Sequence, residues 1–251
     1  MKKVVFILTM IFCLSSWANP IIYEQFKSAN VAYESGKYEV AISEYQSLLK
    51  SGLNGFNLHF NLGNSFYKIE EYPLAILHYE KALKIDPASE DVKKNLTLSY
   101  AKTTDKIEPA KELVINRWYA ELINMNNADN WAIYSTVLLF LALLFGLIYV
   151  FGSSILLKRI GFFSAVLAVV LSLSCFALAY QQQNYQATSK SAIIFTPTVS
   201  IKSAPGESGT VLFVLHEGTK VKLLDQSNDW INVALPNGNK GWVQETDLRE
   251  I

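Results

Sequence analysis

This 251-residue chain is short of cysteine and histidine, and two long stretches carry no acidic or basic side chain. The two cysteines, Cys13 and Cys175, both lie in apolar runs, so neither polar part can form a disulfide or a cysteine-based metal site. Cys175 reads as a small apolar packing residue. The three histidines, His59, His78 and His216, have no second ligand at metal spacing. No nucleophile–base constellation and no Gly-rich phosphate loop is present, so neither catalysis nor a cofactor is expected. The formal net charge is zero, and it is not partitioned into a basic footprint. Residues 19–130 carry 12 Lys and Arg against 15 Asp and Glu, and residues 190–251 carry 6 against 7. That balance argues against nucleic acid as a partner.

The missing charges are themselves a signal. Residues 131–157 contain no Asp, Glu, Lys or Arg, and neither do residues 160–189. Within them, 131–151 and 160–180 are mostly Leu, Phe, Val, Ile and Ala, flanked by Trp131, Tyr134, Tyr149 and Tyr180. As helices, each rises roughly 31 Å, enough to cross a hydrocarbon core. A pair of buried helices in a globular core is the alternative. Tandem runs with aromatic flanks favour two transmembrane helices, 131–151 and 160–180, joined by a loop at 152–159. With no acidic or basic residue inside, the spans mark no ion or proton path. Gly161 with Ala165 and Ala168 with Ser172 are small-xxx-small pairs, suited to close packing within the hairpin or against a partner.

The amino terminus reads as a secretory signal peptide over residues 1–18. Lys2 and Lys3 precede the apolar run Val4–Leu14, and Ser16-Trp17-Ala18 offers a small-x-small cleavage site. An uncleaved anchor is the alternative. Phe12 before Cys13 argues against a lipoprotein signal. Lys158 and Arg159 are the only charges between the two apolar runs. Short basic loops stay in the cytoplasm, so this pair acts as a topological pin and residues 19–130 and 181–251 face the opposite side.

Between leader and membrane, two segments align at an offset of 34 residues. Residues 22–55 contain Ala29, Gly36-Lys37-Tyr38, Ala41, Tyr45 and Leu48; residues 56–89 contain Gly63, Glu70-Glu71-Tyr72, Ala75, Tyr79 and Ala82. Small residues at 29, 63, 41 and 75 let paired antiparallel helices approach, tyrosines fill the groove, and Pro87 ends the second helix. Residues 90–102 continue the phase as a capping helix. Residues 103–130 then read as a linker followed by a juxtamembrane helix near 112–125, either interfacial and amphipathic or packed as a cap on the repeats.

From Ser191 the period becomes two. Turn signals at 203–206, 216–218, 227–229 and 236–239 divide residues 191–251 into short strands of a small barrel.

Asn61-Leu-Gly-Asn-Ser-Phe66 and Tyr72 to Pro87 closely resemble the tetratricopeptide (TPR) consensus; the first repeat departs from it at Ser28 and Leu53. The resemblance implies a peptide-binding groove lined by first helices. Phe26, Asn30 and Tyr33 would line it in repeat one, and Phe60, Asn64, Tyr67 and Lys68 in repeat two, with Lys94 from the cap. The paired asparagines would clamp a peptide backbone and the aromatics supply contact area; inter-repeat packing is the alternative for each. Phe26 stands where a two-carboxylate clamp needs Lys, so that activity is not implied. Val199 to Pro205, Leu215-His-Glu-Gly-Thr219, Trp230 to Val233 and Gly241-Trp-Val243 resemble the bacterial SH3 (SH3b) domain, with Lys202 in place of a common Arg. In that family Trp230 and Trp242 are either ligand-stacking residues or part of the barrel.

The order signal peptide, TPR array, tandem spans and SH3b resembles the BatE proteins of bacterial aerotolerance (Bat) operons. The implied fold is a multidomain membrane protein: an α-solenoid, a transmembrane α-hairpin and a small all-β SH3-like barrel. The implied role is a non-enzymatic inner-membrane scaffold with both soluble modules in the periplasm. Its implied partners are BatA/BatB-type von Willebrand A-domain proteins, BatD and a MoxR-type ATPase, in addition to the lipid bilayer. A cell-wall sensor or anchor that binds peptidoglycan peptides through SH3b is the alternative.

Overall fold

A computed structural model describes residues 20–110 and 113–251. The expected signal peptide lies outside the described residues. The chain divides between Asn54 and Gly55 into two compact units.

In the first unit, α1 (Pro20–Glu34) and α2 (Tyr38–Lys50) form a helical hairpin. Its turn is made at Gly36, where φ is +76° and a side chain would be strained. Ala29 and Ala41 are fully buried between the helices, and Tyr45 fills the remaining groove.

The second unit begins with the same plan. α3 (Phe56–Lys68) and α4 (Tyr72–Ile85) pair, and α5 (Glu90–Lys102) packs on them. Gly63 shows why the position must be small: a Cβ there would lie 2.6 Å from the Tyr79 ring. Ser89 caps α5 by accepting from the Val92 amide.

After the short helix α6 (Val114–Ile123) come α7 (Ala128–Phe151) and α8 (Ile155–Thr188). Both are long and apolar enough to cross a membrane, and little of either is buried. Phe140, Leu143, Phe163, Leu167 and Phe176 point outward. This suits a two-span membrane protein and not a soluble core. Small residues join the two helices. Gly161 lies against the Tyr149 amide and Phe145 carbonyl, and Ala168 and Ser172 are buried. Ser135 Oγ donates to the Ser172 carbonyl at 2.9 Å, and Ser172 Oγ donates to the Ser135 carbonyl at 2.8 Å. The small-residue stripe therefore serves the hairpin itself.

The connection is shorter than the sequence implies. α8 starts at Ile155, where Ser154 caps it by accepting from the Leu157 amide. Lys158 and Arg159 therefore sit in the first turns of a helix, and only residues 152–154 link the two helices. Ser154 outcompetes the loop by satisfying a free helical N–H. Beyond Tyr180, α8 continues through Gln181–Thr188 as a polar stalk leading into the sheet.

The carboxyl-terminal part is a seven-stranded antiparallel sheet in the order β3-β2-β6-β5-β4-β1-β7. The strands are β1 (Ser191–Ile194), β2 (Thr198–Lys202), β3 (Val211–His216), β4 (Lys220–Ser227), β5 (Trp230–Ala234), β6 (Lys240–Gln244) and β7 (Leu248–Glu250). Ile194, Ile201, Leu215, Val221, Val233 and Val243 meet in one core, so the sheet is wound on itself. It is the small all-β SH3-like module expected, and it is not closed: β3 and β7 remain its edges. Register shifts at Ile201/Lys202 and Leu223/Asp225 provide the bends.

Candidate functional site

The residues assigned to a peptide groove occupy the first helices, and most are engaged by neighbours. In the first unit, Phe26 packs on Tyr45 at 5.8 Å and Tyr33 meets Tyr38 edge-on at 5.4 Å. Tyr45 Oη donates to Asn30 Oδ1 at 2.6 Å. In the second unit, Phe60 stacks on Phe56 at 5.9 Å, and Tyr67 meets Tyr72 edge-on at 5.6 Å. Tyr79 Oη donates to Asn64 Oδ1 at 2.7 Å, and Asn95 Nδ2 from α5 donates to the same oxygen at 2.9 Å. Both asparagines thus accept from the hydroxyl of a buried tyrosine. The double acceptance leaves Asn64 Nδ2 to donate elsewhere. Lys68 and Lys94 are exposed on α3 and α5.

His59 and His78, 19 residues apart, meet in the second unit with their Nδ1 atoms 3.0 Å apart. Phe66 stacks on His78. Burial, then the Lys81 charge, lowers His59 to about 4; burial, then His59 and Lys81, lowers His78 to about 3. One neutral ring donates and the other accepts, an arrangement that suits packing. Among the described residues, no group of three or more potential ligands could hold a metal ion.

The most extensive polar site was not anticipated. Residues 103–110, read as a linker, form a strap that fastens the sheet to the second repeat. Asp105 Oδ2 accepts from the His216 amide and the Thr219 hydroxyl, both at 2.7 Å, and its Oδ1 lies 2.8 Å from His216 Nδ1. Burial raises the Asp105 pKa, but the hydrogen bonds from His216 and Thr219 outweigh it and hold it below the ordinary value. Ile107 packs against the sheet core, and the Ala110 amide donates to the Pro236 carbonyl at 2.9 Å. Deeper in the junction, buried Glu80 of α4 accepts from Tyr100 Oη at 2.8 Å and from Lys220 Nζ at 2.6 Å. Burial, then Glu80, raises the Tyr100 pKa, which keeps its hydroxyl a neutral donor. A cleft of ≈ 490 Å³ opens beside these groups, lined in part by Tyr100, Asp105, Ile107, Thr219 and Lys220. The Leu-His-Glu-Gly-Thr turn is therefore an internal docking element. Its Gly218 has φ +84°, and a Cβ there would lie 2.5 Å from Thr103 Cγ2. The sequence signals were faint: one apolar Ile107 in a polar stretch, and a Glu80 indistinguishable from a surface charge.

Trp230 and Trp242 are half-buried on the sheet face opposite the core. Ile231, Val233 and Val243 alternate with them and point inward. The period-two alternation thus places both indoles outside the cluster of inward-facing residues. Lys202 Nζ sits 4.9 Å over the Trp230 ring and pairs with Glu207 at 2.8 Å. This covers one face of the indole.

Comparisons with known proteins agree with these parts. A family model described as "Tetratricopeptide repeat" matches residues 26–90, and one described as "Bacterial SH3 domain" matches residues 197–249. The chain is 33% identical over 52 residues to the "Putative N-acetylmuramoyl-L-alanine amidase YrvJ" of Bacillus subtilis (strain 168). That match covers 21% of this chain and 10% of the relative. The chain thus combines a TPR region, two apolar helices and an SH3b-like sheet. TPR and SH3b domains are typically binding modules.

Proposed function

We propose that this chain is a non-enzymatic scaffold of the bacterial inner membrane. It is exported by the signal at 1–18, crosses the membrane as a hairpin, and presents its TPR and SH3b modules to the periplasm. The observation that carries this reading is the junction between the second repeat and the sheet. Two long apolar helices separate the strap from β1, yet Asp105 reaches His216 and Glu80 reaches Lys220. Two crossings return the chain to the side it left, which those contacts require of a hairpin in a bilayer. Lys158 and Arg159, exposed at the opposite end, support a cytoplasmic position for that end.

The order of parts supports a BatE-type role, in which the scaffold assembles with von Willebrand A-domain Bat proteins, BatD and a MoxR-type ATPase. Within such a complex it would serve aerotolerance or stress resistance. Exposed Lys68 and Lys94, with the Asn64 amide and Tyr67, form the partner-facing surface on α3 and α5. A phosphatase reporter fused after Ile251 is expected to be active and one at Ser154 silent; the opposite pattern overturns the orientation. Lys68→Glu with Lys94→Glu is expected to reduce co-purification of membrane partners with folding intact. Unchanged recovery removes that surface from the account. This pair is a better probe than Asn64→Ala, which strips a partner from buried Tyr79.

A second reading, cell-wall binding through SH3b, draws on the similarity to an amidase-named protein over that segment alone. The covered face of Trp230 and the docked 216–219 turn limit the surface available to it. Retention of the full-length protein on purified sacculi, lost on Trp242→Ala, would favour this second reading; no retention removes it.

A further inference from the structure

Helix α6 presents to solvent a face that water disfavours. Leu113, Val114, Ile115 and Trp118 are 70, 74, 70 and 63% exposed, and Tyr119 and Met125 are also exposed. At helical spacing, Val114, Trp118, Leu122, Ile115 and Tyr119 fall within one arc of about 140°, with Asn116, Arg117, Ala120 and Glu121 on the other side. A globular protein turns such an arc toward its core. Here only Ile123, at the last position, is buried.

The covering surface is indicated by where the helix is pinned. Only residues 124–127 separate α6 from α7. The Trp131 indole N–H donates to the Ile123 carbonyl at 3.1 Å, tying the end of α6 to the first turn of α7. Trp131 meets Tyr134 edge-on, and the Tyr134 hydroxyl reaches Asn126 at 3.5 Å. Exposed Tyr134, beside buried Trp131, marks the aromatic boundary of the apolar helix, the level at which Tyr settles between headgroups and acyl chains. The bare arc is therefore tethered at the end of α7, whose outward surface is also apolar. Its composition, aromatic and aliphatic on one side with Arg117 and Glu121 on the other, is that of a helix lying in an interface.

From this geometry we infer that α6 is a membrane-surface helix. Its apolar arc is buried about 5–10 Å into the headgroup–acyl boundary of the leaflet nearest the sheet. The occupant of the bare face is lipid. The helix adds a third attachment beside the two spans and restrains rotation of the soluble body about the hairpin. The inference rests on the reading of α7 and α8 as membrane spans.

The test uses full-length protein carrying Cys13→Ser and Cys175→Ser, with one added cysteine at a time: Ile115→Cys, Ala120→Cys or Phe140→Cys. Each is labelled with an environment-sensitive fluorophore and reconstituted into phosphatidylethanolamine–phosphatidylglycerol vesicles. Nitroxide quenchers are placed shallow or deep in the acyl chains. The probe at 115 is expected to be quenched several-fold more by the shallow nitroxide than by the deep one. The probe at 120 should resist both, and the probe at 140 should respond most to the deep one. Quenching at 140 without quenching at 115 overturns the inference and leaves the spans intact. An unquenched but blue-shifted probe at 115 assigns the arc to a protein surface, and also overturns it. No quenching at 115 or 140 overturns the span reading and the inference together.

Discussion

The two repeats share a plan and differ where it matters. Offset by 34 residues, Asn30 and Asn64 accept from Tyr45 and Tyr79, at 2.6 and 2.7 Å. Phe26 and Phe60 flank those tyrosines, and Ala29 and Gly63 occupy the close approach. The departures cluster elsewhere. Where the first repeat has Gln25 and Glu44, the second has His59 and His78; where the first has Gln46, the second has Glu80. Common positions build a helix pair, and the divergent ones turn the second pair into a seat for the sheet.

The largest break in this comparison comes from Glu80→Ala. It leaves half-buried Tyr100 without its acceptor and returns the Lys220 ammonium to water, with an expected loss of about 2–3 kcal/mol. Gln46→Ala, at the equivalent exposed position, is expected to be near neutral; denaturant unfolding of the detergent-solubilised chain compares the two. Gly63→Val drives new atoms into the Tyr79 ring and is expected to cost about 1–3 kcal/mol. Ala29→Gly, which removes a Cβ at the matched place, costs about 1 kcal/mol in helix propensity.

Acid separates the repeats next. Burial holds His59 at about 4 and His78 at about 3 in the folded state, below the ordinary 6.5. The unfolded chain therefore takes up protons first as pH falls. The second repeat keeps its full stability above pH 6.5 and loses it progressively toward pH 4 for His59 and pH 3 for His78. The loss is on the order of 1 kcal/mol per histidine for each pH unit. Melts between pH 7 and 5 should show it, and His59→Phe with His78→Leu should flatten the profile. A wild-type profile that is already flat contradicts the neutral pair. The smallest effect sharpens the shared part: Tyr45→Phe and Tyr79→Phe each remove the hydroxyl bond to the matched asparagine and should cost about 1 kcal/mol apiece. Unequal costs would show that Asn95, which also donates to Asn64, changes the second site.

Helix pairs, long apolar helices and sheet strands were legible in the sequence because each leaves a local pattern: a 34-residue repeat, an unbroken apolar run, or alternation. The small residues at 63 and 161 were legible for the same reason, since close approach leaves a mark at a fixed place. The site was far less so. Asn64 and Tyr67 stand where the repeat puts them, but nothing local reveals that Asn64 Oδ1 is taken by Tyr79 and Asn95. The strap was invisible because Asp105 and His216 are 111 residues apart and meet only after the hairpin returns the chain. His59 and His78 escaped notice as a pair because 19 residues is no ligand spacing. Strand count made the SH3-like module legible, whereas its open edges depend on strand pairing that strand count does not determine.

Sheet and second repeat are docked on each other, and the proposed orientation puts that junction on the oxidising side of the membrane. A Cβ at Gly218 would lie 3.5 Å from Thr103 Cβ, within disulfide range. In a Cys13→Ser, Cys175→Ser background, Thr103→Cys with Gly218→Cys is predicted to form an intramolecular disulfide in living cells without added oxidant. Since φ is +84° at Gly218, the single Gly218→Cys variant is first shown to melt like its parent; thiols that then stay fully alkylatable, even after a membrane-permeant oxidant, would contradict the docking, and a bond formed only with that oxidant would contradict the periplasmic placement.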